Sequence, residues 1–125
     1  MRASRNELPL LFGEDPAAIR GADWGGLRSM IVSLPAGTDL APLLKGLPND
    51  LCPCPHWIYV IKGRSRVTYA DGSEEIHKAG DLCYLPPGHT AVVEEDIEFV
   101  EFSSPADHQP VLDHIARAGG AVRRK

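Results

Sequence analysis

The chain has 125 residues, 43% of them hydrophobic and 24% charged, with a formal net charge of -4. That length suits one domain with one buried core, and no apolar run nears the roughly 20 residues that cross a bilayer as a helix. A mildly acidic chain without a basic stripe lacks the footprint of a nucleic-acid binder; its one basic run, Arg123-Arg124-Lys125, reads as a solvated tail.

Residues 1–20 are expected to form an N-terminal arm, the first 15 of them irregular. Leu8-Pro9-Leu10-Leu11-Phe12 is too short for the core of a secretory leader and is followed by Glu14-Asp15, so a cytoplasmic protein is expected. Leu27 to Leu34 reads as a strand stopped by Pro35-Ala36-Gly37. Asp39 to Lys45 suits a short helical turn capped by Thr38 or Asp39, and Gly46 to Asp50 is loop. Trp57 to Lys62 is a dense β-type run, after which Gly63 turns the chain.

Arg66 to Ala70 and Glu74 to Lys78 flank Asp71-Gly72, a strong hairpin signal. Leu82 to Leu85 is another strand, ended by Pro86-Pro87-Gly88. Thr90 to Val93 and Ile97 to Phe102 are predicted as the last two strands, with Glu94-Glu95-Asp96 as an exposed turn between them. Val111 to Ala118 suits a short helix begun by Pro110 and stopped by Gly119-Gly120. Short strands with turns every few residues indicate an all-β sandwich or barrel over residues 21–105, followed by a helical segment and tail over 106–125.

Two stretches carry the chemistry: Cys52-Pro53-Cys54-Pro55-His56-Trp57 and Gly80 to His89. They hold all three cysteines and two of the five histidines. An odd cysteine count, with two thiols one residue apart, argues against a disulfide framework. In a reducing compartment such thiols are free or bind metal.

Residues 51–102 resemble the cupin superfamily. Its first motif has two histidines one residue apart, then a glutamate, then a glycine after six residues; its second runs Gly, five residues, Pro-x-Gly, two residues, His. Gly80, Pro86 and Gly88 match the second motif, and Gly63 after Tyr59-Val60-Ile61-Lys62 matches the end of the first. More narrowly, Lys45-Gly46-Leu47-Pro48 with Cys-Pro-His-Trp and Pro-Pro-Gly-His-Thr is similar to a group of small bacterial single-domain cupins with no assigned reaction. The resemblance implies a jelly-roll β-barrel and a homodimer paired through sheet edges. It does not transfer the usual ligands. His56 stands at the glutamate position, Asp50 and Cys52 (or, with longer spacing, Asn49 and Leu51) at the two histidine positions, and Ala91 at the last histidine.

Read from their own types, Cys52, Cys54 and His56 share one strand parity, and His89 shares that of Ala91. All four can face one interior, and two thiolates with two imidazoles suit tetrahedral Zn, with Fe or Cu also accepting them. His56 and His89 lead as ligands, then Cys52, then Cys54. A metal-free pocket is the competing reading, with thiols packed as small hydrophobes.

The remaining candidates read as bland. Cys83 is expected as a buried structural residue, and His77 as exposed among Glu74, Glu75 and Lys78. His108 and His114 fall in the C-terminal segment, where His114 beside Asp113 is expected on a solvated helix face rather than as a base, and Arg64 and Arg66 are expected on a solvated strand face. Trp57, Tyr59, Tyr69 and Tyr84 suit core or interface. Asp50 is the one carboxylate that the sequence places near the cysteines. Three functions follow: a metal-dependent cupin acting on a small organic molecule, a non-catalytic small-molecule or metal-binding module, or a structural homodimer with a vestigial pocket. Fold does not choose among them.

Overall fold

Strands alternate with tight turns along most of the chain. The structure, a computed structural model describing residues 1–119, contains β1 (Leu10–Glu14), β2 (Ala17–Trp24), β3 (Leu27–Leu34), β4 (His56–Tyr69), β5 (Glu74–Lys78), β6 (Leu82–Leu85) and β7 (His89–Ser103). Helix α1 spans Ala41–Leu44 and helix α2 Pro105–Gly119. All strand pairs are antiparallel, in the order β1-β2-β3-β7-β4-β5, with β6 on β4. This is a single-domain all-β jelly roll with a C-terminal helix.

Two long strands, β4 and β7, run through both halves of the one rolled seven-stranded sheet. The first half of β4 pairs with β6 and with the end of β7, whereas its second half pairs with β5 and with the start of β7. The bend falls at Gly63, whose φ is +88°. A Cβ there would collide with the Asp96 carbonyl, and the register slips between Val60 and Ser65. Only glycine meets both demands, the left-handed backbone and the close approach.

Alternation then builds the interior. β3 buries Arg28, Met30, Val32 and Leu34, and β4 buries His56, Ile58, Val60, Ser65 and Val67. A second apolar cluster joins Leu43 and Leu44 of α1 to Cys52, Cys54, Val111 and Ile115. It seats α2 across one end of the barrel.

Several elements differ from the sequence pattern. The N-terminal segment is not an irregular arm beyond its first residues, because β1 and β2 extend the sheet through β3. Arg5 ties the start of the chain down through Asp15 and Glu98, at 2.8 and 3.0 Å. Glu94-Glu95-Asp96 is no turn, since β7 runs through it as one strand with an irregular register. Its charges are met from β4, where Arg64 and Arg66 hold Glu94 at 2.7 and 3.0 Å on the outer face. Helix α2 starts at Pro105 after Ser104, not at Pro110, which lies inside it. The carbonyl and hydroxyl of Ser104 receive the first amides, so Ser-Pro is the true start signal. The basic tail and Gly120 lie outside the described residues.

Candidate metal centre

Cys52 is positioned by backbone pairing. Its N–H donates to the His89 carbonyl at 2.9 Å, and its own carbonyl accepts from Gly88 at 2.8 Å. This isolated antiparallel bridge sets the two side chains opposite each other on one face. His56 opens β4 opposite Leu85 of β6 and is buried. Ligand atoms of Cys52, His56 and His89 all lie within 4.8 Å of one another. Cys52 Sγ is 3.6 Å from His56 Nε2, and the two imidazole centroids are 4.9 Å apart.

Both rings are oriented from behind. His89 Nδ1 is 2.8 Å from the Pro86 carbonyl. A carbonyl only accepts, so Nδ1 carries a proton and Nε2 is the nitrogen turned to Cys52. His56 Nδ1 lies 2.8 Å from Glu101 Oε2 and 2.8 Å from Ser103 Oγ, and Ser103 donates to the same carboxylate at 2.9 Å. His56 therefore also turns Nε2 toward Cys52.

Glu101 continues the network outward. His108 Nε2 of α2 lies 3.7 Å from its carboxylate, His108 Nδ1 is 3.1 Å from Arg28, and Arg28 pairs with Asp23 at 2.8 Å. Burial resists ionisation of Glu101, but the charge on His56 and the hydrogen bond to it hold the carboxyl down at about 2. Burial likewise opposes protonated His56, yet Glu101 and the two thiols raise it well above the ordinary imidazole value. Burial pushes the Cys52 thiol up, and the hydrogen bonds from His56 and His89 outweigh it, bringing it to about 6. His108 is held below its ordinary value by burial, against the pull of Glu101.

Of the four ligand candidates, three meet. Cys54 stands outside the group, fully buried in the apolar cluster under α2, with its thiol 3.4 Å from the Pro55 carbonyl. Asp50 is exposed and accepts from Gly46 N–H at 2.9 Å. The carboxylate of the site is Glu101. It shares the inward parity of Ile97 and Phe99, which is the signal by which the sequence could have revealed it.

Two further histidines are buried, one of them, His77, against its expected exposure. His108 faces Glu101 from α2, and His77 faces the interior opposite Ser65. His77 is held at 2.8 Å by Glu75, which also accepts from Tyr69 at 2.7 Å. The charged neighbours of His77 mislead because Glu74 and Lys78 lie on the opposite face of β5, while Glu75 shares the face of His77 and caps its ring. His114 is partly covered, with Nε2 2.8 Å from the Lys45 carbonyl. Cys83 packs against the main core, and burial with nearby Asp81 and Glu75 pushes its thiol up to about 11. Trp57, Tyr59 and Tyr84 are exposed on the outer face of the sheet.

A thiol, two aligned imidazoles and a buried carboxylate behind one of them, at the end of a jelly roll, define a cupin-type barrel with a Cys/His cluster. The family model described as an EutQ-like cupin domain matches residues 52–101. No curated protein matches. Among solved structures, an RmlC-like cupin from Shewanella frigidimarina aligns with TM-score 0.63 and 17% identity over 86% of this chain and 92% of that one. A mutant oxalate decarboxylase from Bacillus subtilis aligns at 0.57 and 23% identity, over 82% of this chain and 28% of that one. Hydroxypropylphosphonic acid epoxidase from S. wedmorenis aligns at 0.56 and 12% identity, over 82% and 58%. The chain has the cupin fold, and its residues 52–101 match a cupin domain model. Among the described residues no helix is long and apolar enough to cross a membrane.

Proposed function

We propose that Cys52, His56 and His89 hold a divalent metal at the mouth of the barrel, zinc in preference to iron, and that a small organic molecule meets it there. The observation that carries this reading is the orientation of the two imidazoles. Each has its Nδ1 side anchored, on Glu101 and on the Pro86 carbonyl, so both Nε2 atoms are turned toward the thiol, where loss of a proton would free them to bind a metal. Metal-binding histidines are held in this way by carboxylate or carbonyl partners. The spacing fits as well. Tetrahedral bonds of ~2.3 Å to sulfur and ~2.0 Å to nitrogen put S and N about 3.5 Å apart, and Cys52 Sγ lies 3.6 Å from His56 Nε2.

One thiolate and two imidazoles leave a fourth tetrahedral position for water or ligand, the arrangement of catalytic rather than structural zinc. A metal so held supplies Lewis-acid polarisation. The chain's own residues do the rest: Glu101 keeps His56 oriented, Cys52 contributes the negative charge, and the apolar wall of the barrel surrounds the bound molecule. An epoxidase named with Fe(II) is among the structures of similar fold, which bears on the metal only as a likeness of scaffold.

Metal analysis of protein purified without a metal-affinity tag tests the proposal. One equivalent of zinc, lost in His56→Ala and in His89→Ala, is the expected result. No metal uptake by the parent, and unchanged stability after EDTA, would sink it.

A second reading rests on the order of the same atoms. Thiol, imidazole and carboxylate follow one another from Cys52 to His56 to Glu101, the sequence of groups that activates a nucleophilic cysteine. Metal-free protein that is covalently labelled at Cys52 by a small electrophile, and loses labelling in Glu101→Gln, would favour it.

We also propose a homodimer formed through the outer sheet face. Trp57 and Tyr84, with rings 5.3 Å apart, stand beside Tyr59, Leu82 and Phe102 across three adjacent strands. A contiguous exposed apolar face of this kind marks an interaction surface.

A further inference from the structure

The barrel behind the cluster is hollow. A cavity of about 140 Å³ reaches from Cys52, His56 and His89 into the space that the rolled sheet encloses. Strand register tells how its walls change with depth. His89 is opposite Tyr69, Ala91 opposite Val67, and Val93 opposite Ser65. Each such step is about 6.6 Å, two residues of strand. One step past the cluster the wall is therefore Val67 and Ala91, and deeper it is Val93, Ile97 and Phe99.

Ala91 matters most here. It occupies the place at which the motif spacing would put a histidine, and its methyl leaves open what an imidazole would fill. The coordinating groups are gathered one step nearer the mouth, and the interior is left to aliphatic walls. Four more polar side chains line it: Glu101 and His108 beside the cluster, already paired with His56, Ser103 and Arg28, and Ser65 and His77 away from it, His77 being engaged by Glu75.

We propose that this barrel takes a compact, largely apolar molecule about the size of one six-membered ring, with a single oxygen head group turned toward Cys52, His56 and His89. The reading of the cluster as the reactive end underlies the placement of the head. Aliphatic walls would strand the hydroxyls of a polyol or sugar without partners. An apolar void of about 150 Å³ stays dry and admits benzene, which sets the size of the body.

Methyl-labelled, EDTA-treated full-length protein is titrated with benzyl alcohol, toluene and glycerol. Benzyl alcohol and toluene are expected to shift the methyl signals of Val67, Val93 and Leu34 saturably, and glycerol to leave them in place. Ala91→Leu should weaken benzyl alcohol by roughly tenfold, the contact of about two buried carbons. Should that variant not fold, Val93→Ile narrows the same wall more gently and should weaken binding in the same direction. Silence from both aromatic probes up to their solubility, or equal shifts from glycerol, would overturn the proposal.

Benzyl alcohol should bind more tightly than toluene, with the difference abolished in His89→Ala; equal affinities in the parent would overturn the placement of the head. Zinc added to the same samples separates the two ideas. Benzyl alcohol binding without zinc uptake removes the metal and keeps the chamber, and zinc uptake without benzyl alcohol binding removes the chamber alone.

Discussion

His56 Nδ1 lies 2.8 Å from Glu101 Oε2, so the imidazole cannot turn away from the cluster without leaving a buried carboxylate short of a partner. The contact fixes which nitrogen faces Cys52, and it makes that nitrogen more basic. Glu101→Gln keeps the shape and removes the charge. Zinc affinity is expected to fall about 10- to 100-fold, the usual cost of losing a carboxylate behind a metal-binding histidine. Competition with a chromogenic chelator measures it. An unchanged dissociation constant would show that His56 needs no such support, and would weaken the metal proposal with it.

The thiol of Cys52 gives a second handle, in metal-free protein. Hydrogen bonds from His56 and His89 overcome burial and bring it to about 6 from an ordinary 9.0. Thiolate absorbance near the far-ultraviolet edge should therefore rise with a midpoint close to pH 6 and vanish in Cys52→Ser. His56→Ala should move the midpoint upward, because the group that favoured the thiolate is gone and burial remains. A parent midpoint at the ordinary thiol value would contradict the geometry.

The barrel was legible in the sequence because its signals are local. Asp71-Gly72 shapes a hairpin by its own backbone needs, and Gly63 marks the bend that Asp96 presses against. β3, β5 and β6 fall where the residue pattern puts them. What escaped depends on pairing across long separations. Glu94-Glu95-Asp96 looks like a turn until Arg64 and Arg66 are placed beside Glu94. Cys52, His56 and His89 can be picked by type and parity, but Glu101 and His108 enter the site only when the end of β7 and helix α2 are folded against β4. Nothing near Cys52 in the chain announces them.

Gly63 can be tested directly. Its φ of +88° lies in the left-handed region, and a Cβ would meet the Asp96 backbone. Gly63→Ala is expected to destabilise the fold by about 2 kcal/mol or more, strain and clash acting together. Urea unfolding followed by tryptophan fluorescence reads the change. A loss below about 0.5 kcal/mol would mean that the corner relaxes freely, an outcome the close backbone approach argues against.

Acid should loosen the metal-free protein through Glu101. Its folded pKa is held at about 2 against an ordinary 4.5. As pH falls the unfolded chain takes the proton first, so the ionised, paired carboxylate contributes its stability above about 4.5 and loses it between there and about 2. Stability rises with pH where the unfolded state binds more protons, so the slope across that window is positive. Glu101→Gln has no proton to gain and should show a flatter slope. Equal slopes for the two proteins would assign acid unfolding to the surface carboxylates.

The outer sheet face carries the last prediction. Leu82 is 84% exposed, Trp57 and Tyr84 are each 49%, and Tyr59 is 46%. Water is a poor neighbour for so much contiguous apolar surface, and aromatic groups at the centre of a patch dominate association energies. The protein is expected to sediment as a dimer. Trp57→Glu places a charge at the centre of the face and should yield a folded monomer at the same concentration. It points away from the cavity, so zinc uptake should be retained. A parent that sediments as a monomer at high concentration would overturn the self-association. Retained dimers in Trp57→Glu would move the contact to another face, leaving Trp57 and Tyr84 without an explanation for their exposure.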